Sequence, residues 1–173
     1  MMKKFMIALF LCLATVQGFA QNCKTSLYPM KSENAYTHYN VRYATSPVDA
    51  KHYTTDRLRQ EYLIQKVFVP GEVNWTYSLF DRFLIGGAEP TIQPLTLTSI
   101  APLYTEKTTD KKRLLDNREI GIINIGGDGT VTVDGKSYDL KFQEAIYIGR
   151  ADAKNDHQIV LSSKDAANPA KFY

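Results

Sequence analysis

Three histidines, His38, His52 and His157, are the side chains best suited to acid–base or metal chemistry, and the sequence scatters them. None forms a His-x-His or His-x-x-x-His pair, and no Glu stands at ligand spacing from two of them. A catalytic metal wants about three protein ligands, so no metal site is read from these residues. His157 follows Asp156 and lies near Asp152, a pattern a surface cation can use, although a loop of solvated charge is the commoner meaning. His52 beside Tyr53 suits a general base or a partly exposed structural histidine. There is no Gly-x-Ser-x-Gly elbow, and Cys23 has no histidine in a recognisable motif. No catalytic residue is assigned.

Asp81-Arg82 is the more informative polar pair, because it interrupts a run of strand-forming residues. Two readings stand. One is an ordinary strand-turn salt bridge. The other is a substrate-binding pair in which the arginine fork meets the carboxylate of an acidic sugar. Arg57, Arg59, Arg118 and Arg150 are weaker versions of the second idea. Gly135-Lys136-Ser137 ends like a phosphate loop, but the glycine that motif needs five residues earlier is replaced by Thr130. The surrounding pattern is strand, turn, strand, so it reads as a hairpin.

The elements that would carry these residues are mostly strands. Apolar residues alternate in Gly121–Ile125, Thr130–Val133 and Ser137–Phe142, and Ala145–Ile148 is a further apolar run. Asp128-Gly129 and Asp134-Gly135 favour type I′ turns between them, which predicts an antiparallel meander. Earlier, Lys66–Val69, Asn74–Phe80, Phe83–Ile85 and Ile92–Ile100 read as strands, with Gly86-Gly87 ending one run. Gln158–Leu161 reads as one more. Ser46-Pro47 opens a short helix, and Asp56–Gln65 predicts a second. Thr105–Asp116 reads as an exposed loop. Ser163–Tyr173 reads either as an interrupted strand entrance or as a terminal strand that docks into the sheet. The class is all-β, an antiparallel sandwich or barrel with one or two short N-terminal helices.

At 173 residues there is room for one domain with a proper core, and 44% hydrophobic with 23% charged residues argues against disorder. Lys3-Lys4, the apolar run Phe5–Val16 and Gly18-Phe19-Ala20 form a secretory signal over residues 1–20, cleaved after Ala20. The run is too short to span a bilayer comfortably. The reading is therefore a protein exported to the periplasm, with no membrane partner after cleavage. Losing Lys3 and Lys4 lowers the formal charge from +3 to +1, too little to suggest nucleic acid. Cys12 leaves with the signal and Cys23 then stands alone. Residues 21–40 read as a flexible tether, with order beginning near Val41.

From Val41 to Tyr173 the chain resembles the 4-deoxy-L-threo-5-hexosulose-uronate ketol-isomerases, also called 5-dehydro-4-deoxy-D-glucuronate isomerases. The segments GGAEP, NREIGIINIGG and KDAANPAKFY carry the likeness. The resemblance implies one half of a bicupin: residues 41–173 as an N-terminal cupin-like domain of a usually oligomeric enzyme of uronate breakdown. It also implies a zinc ion, held by histidines and a glutamate in a second half that no position here matches. The expectation is an isomerase fragment, inactive alone and binding no metal itself, with a deoxy-keto-uronate as substrate. The alternative is an exported, non-catalytic sandwich that binds acidic sugars.

Overall fold

The computed structural model describes residues 30–31, 36–103, 114–152 and 156–173. The signal reading, both cysteines, much of the 21–40 segment and most of the 105–116 loop lie outside the described residues. In chain order the elements are β1 (Met30–Lys31), β2 (Thr37–Arg42), α1 (Pro47–Ala50), α2 (Thr55–Tyr62), β3 (Val73–Ser78) and β4 (Phe83–Ala88). They continue as β5 (Leu95–Thr96), β6 (Ile120–Ile123), β7 (Gly129–Val133), β8 (Lys136–Leu140), β9 (Ala145–Ile148) and β10 (Ile159–Ser163). Strand order is β1-β2-β3-β4 in one sheet, β5-β10-β7-β8 in a second, and β6-β9 in a two-stranded ribbon. The described strands make an all-β sandwich and do not close into a barrel.

The C-terminal segment joins the first sheet to the ribbon. Phe172 bridges Ala88 on one side and Asn124 on the other, both antiparallel. The Phe172 N–H donates to the Ala88 carbonyl at 2.9 Å and the Ala88 N–H returns the bond at 2.9 Å. Tyr173 exchanges the same pair of bonds with Ile123, at 2.8 and 2.9 Å. One layer thus runs from β1 through β4 and the C-terminal segment to β6 and β9. Between it and the opposing sheet lies a single core, with Val73, Trp75, Ile122 and Phe172 facing Val131, Ile159 and Leu161. Strand period explains the burial. In β10, Ile159 and Leu161 are buried while Val160 and Ser162 are not. In β7, Thr130 and Thr132 turn outward to Asp139 and Ser137 of β8, at 2.8 and 2.9 Å.

Asn124 ties this arrangement together. It is fully buried. Its Nδ2 donates to the carbonyls of Gly127 (2.7 Å) and Leu140 (2.9 Å). Its Oδ1 accepts from the N–H groups of Gly126 (3.0 Å) and Lys171 (3.2 Å). One amide therefore satisfies a loop, the end of β8 and the C-terminal segment.

Several expectations need correction. The meander does not form, because β6 pairs with β9 and encloses the β7–β8 hairpin. Asp134-Gly135 does turn with positive φ at both residues, +51° and +81°. Gly129 does not; it is a strand residue where a Cβ would meet the Phe172 ring at 2.5 Å. Gly86 and Gly87 continue β4 instead of ending it. Lys66–Val69 is no strand, since the chain there crosses over Gly87, whose Cβ would lie 2.5 Å from the Val67 carbonyl. Strand β2 begins at Thr37, a buried residue within the expected tether. It pairs with β3 in parallel, which requires a crossover connection, and α1 and α2 supply it. Ile92–Ile100 shortens to Leu95–Thr96. Leu114 and Leu115, at the end of the expected exposed loop, are buried, with their N–H groups held by the Asp156 carboxylate at 2.9 and 3.4 Å.

Both helices are capped, by Ser46 onto the Val48 N–H and by Thr54 onto the Arg57 N–H. Neither buries a residue.

Replacing Asn124 by Ala strands two carbonyls and two N–H groups in the core, so Asn124→Ala lowers the unfolding free energy by about 3 kcal/mol or more in urea denaturation. Asn124→Asp does no better at neutral pH, because a carboxylate oxygen then faces two carbonyls. A second test concerns pH. The Asp134 carboxylate accepts from His157 Nδ1 at 2.6 Å and from the Gln158 N–H at 2.8 Å, and these bonds hold its pKa below 3.8. A depressed carboxyl contributes stability above its unfolded value and loses it as pH falls through the folded one. Asp134→Asn should therefore lower Tm slightly at pH 6, with the gap to the parent closing as pH falls below 3.8.

Candidate binding cavity

The C-terminal segment fills the space between β4 and β6 only as far as Tyr173. Alongside Phe83–Gly86 of β4 and the stretch Arg118–Gly121 that leads into β6, a cavity of about 370 Å³ remains. Leu97 and Leu161 line it from the opposing sheet, and Leu114, Leu115 and Trp75 add further apolar surface. Trp75 is the partner of Gly86 across the β3–β4 ladder. Its ring lies so close that a Cβ on Gly86 would come within 2.2 Å of it. Glycine there lets the indole lie flat on the next strand.

The charged side chains lining the cavity are Arg82, Arg118 and Glu119. Arg82 closes the β3–β4 hairpin with φ +52°, a left-handed conformation that the four-residue turn imposes. No hydrogen bond or ion pair engages Arg82 or Arg118 among the described residues. Glu119 accepts the hydrogen bond of the Tyr147 hydroxyl and so holds that phenol above its ordinary 10.0. The arrangement offers two guanidinium groups beside an apolar hollow. It can attract an anion.

The structure separates the expected site residues. Asp81 and Arg82 both lie exposed in the hairpin turn, and only Arg82 lines the cavity. No ion pair joins them among the described residues. Arg118, a weaker candidate in sequence, comes to the same cavity from a distant segment. His38 Nε2 lies 3.4 Å from Glu72, and His157 is engaged by Asp134, so Asp152 and Asp156 do not frame a cation site with it. His52 is exposed in the turn after α1. The described residues bring together no three His, Cys, Asp or Glu side chains able to hold a metal ion. The zinc implied by the resemblance therefore does not fit the described residues. Sequence reading missed Trp75; its one signal is a lone tryptophan in a strand-forming run just ahead of a Gly-Gly pair.

The described residues thus form a β-sandwich with a strand-lined cavity, and sequence comparison shows what the chain is similar to. No family model matches the chain. It is similar to the 4-deoxy-L-threo-5-hexosulose-uronate ketol-isomerase 1 of Bacteroides thetaiotaomicron, 45% identical over 137 residues, 79% of this chain and 45% of that protein. The isomerase of Halalkalibacterium halodurans is 48% identical over 132 residues, 76% of this chain and 44% of its own. That of Formosa agariphila is 44% identical over 137 residues, again 79% and 45%. The chain thus spans under half the length of the curated relatives it matches, and it is homologous to their N-terminal half.

Gly86→Ala tests the cavity wall. Reduced freedom of the unfolded chain would favour alanine by about 0.4–1 kcal/mol. Overlap with the indole outweighs that, and the net loss should be about 1–3 kcal/mol in denaturant unfolding. Emission of Trp75, the single tryptophan, should shift to the red as the ring is displaced.

Proposed function

We propose that this chain is the N-terminal lobe of a uronate ketol-isomerase. The reaction converts 5-dehydro-4-deoxy-D-glucuronate to 3-deoxy-D-glycero-2,5-hexodiulosonate, an aldose–ketose interconversion in pectin and uronate breakdown. The observation that carries the reading is the 45% identity to a ketol-isomerase over 79% of the chain. Such an isomerisation moves one proton between neighbouring carbons and needs a base, with an electrophile on the carbonyl oxygen. In this reading the lobe is inactive by itself and the other half of the enzyme completes the reacting set. Zinc would polarise the carbonyl when bound. We place it in polypeptide that the relatives have beyond the matched region. What this lobe contributes is a folded support, an oligomer-forming surface and cationic side chains at Arg82 and Arg118. The leader at residues 1–20 supports export to the periplasm.

Purified alone, the 173-residue chain should show no isomerisation of the hexosulose-uronate by proton NMR. Supplying the C-terminal half of the Bacteroides thetaiotaomicron relative should restore turnover. Turnover by the short chain alone would sink the reading.

A further inference from the structure

The cavity has the width and the exposed backbone to take one further strand. Ala88 and Ile123 each bond to the C-terminal segment, so β4 and β6 stand about two strand spacings apart, roughly 9.5 Å, around it. Past Tyr173, β4 continues to Phe83 and β6 to Ile120, with Glu119 the residue just before β6. In an antiparallel ladder alternate residues point their N–H and C=O to the same side. Ala88 points to the C-terminal segment, so Gly86 and Leu84 point into the cavity. Ile123 does likewise, so Gly121 and Glu119 point into it from the other side. Leu84, Gly86 and Gly121 in the strands, extended by Glu119 just ahead of β6, thus set two facing rows of backbone donors and acceptors along one slot.

We infer that the cavity is an acceptor slot for a β-strand, and that its occupant is the stretch following the matched region in the relatives. The first residue of that strand would pair with Gly86, the second with Gly121, the third with Leu84 and the fourth with Glu119. Phe172 is buried and Tyr173 is exposed, so the first and third residues face inward. There they meet Leu97, Leu115 and Leu161, which selects apolar side chains at alternate positions. The choice of occupant rests on the reading of this chain as an N-terminal lobe. The slot itself rests only on the ladder geometry.

The test uses the 173-residue chain and a synthetic peptide of about eight residues copied from the Bacteroides thetaiotaomicron relative directly after its matched region. Binding should shift Trp75 emission saturably and slow hydrogen exchange at the Leu84, Gly86 and Gly121 amides by about tenfold or more. The same peptide N-methylated at its first and third residues should lose that effect, because the ladder to β4 is blocked while its side chains are unchanged. Equal binding of the N-methylated peptide would overturn the inference. So would a saturable Trp75 response to galacturonate with none to the peptide, which would mark a small-acid site instead. Turnover by the short chain would sink the lobe reading and leave amide protection untouched, so the two fail separately.

Discussion

One buried amide sets the geometry of the sandwich. Asn124 places two donors and two acceptor bonds at the point where the loop to β7, the end of β8 and the C-terminal segment converge. Each of those backbone groups would be costly to leave unpaired away from water. No apolar residue can satisfy them. The glycines nearby follow from the same constraint: a Cβ on Gly126 or Gly127 would sit 2.5 or 2.0 Å from backbone of the C-terminal stretch. Asn124 and these glycines hold Phe172 in the middle of a sheet, and Phe172 in turn joins β4 to the β6–β9 ribbon.

What could be read in the sequence was local. Asp134-Gly135 turns as expected because two adjacent residues decide a type I′ turn. Ser46-Pro47 starts a helix because cap and first turn are neighbours. Periodicity likewise located most strands of the second half. Pairing was not legible. Nothing in the alternation of Ile120–Ile123 says that its partner is β9 and not β7, and the parallel β2–β3 pair is announced only by a connection long enough to cross over. Glycine misled in a consistent way. Gly86, Gly87 and Gly129 read as chain breakers or turns, but each sits in a strand where another group lies against the backbone.

The site was legible only in part. Arg82 stood out because it interrupts an apolar run, and it does reach the cavity. Its neighbour Asp81 does not, since a hairpin turn sends adjacent side chains in different directions. Arg118 joins Arg82 through tertiary structure that no spacing encodes.

The C-terminal segment also has a bearing on how the fold is reached. Strands β4 and β6 can meet only through Phe172 and Tyr173, the last described residues to leave a ribosome. Until then the nascent chain carries two half-layers with open edges and an uncovered apolar interior, a state prone to wrong partners. Closure of the layer therefore has to wait until every described strand has been made, and the earlier strands stand with open edges in the meantime.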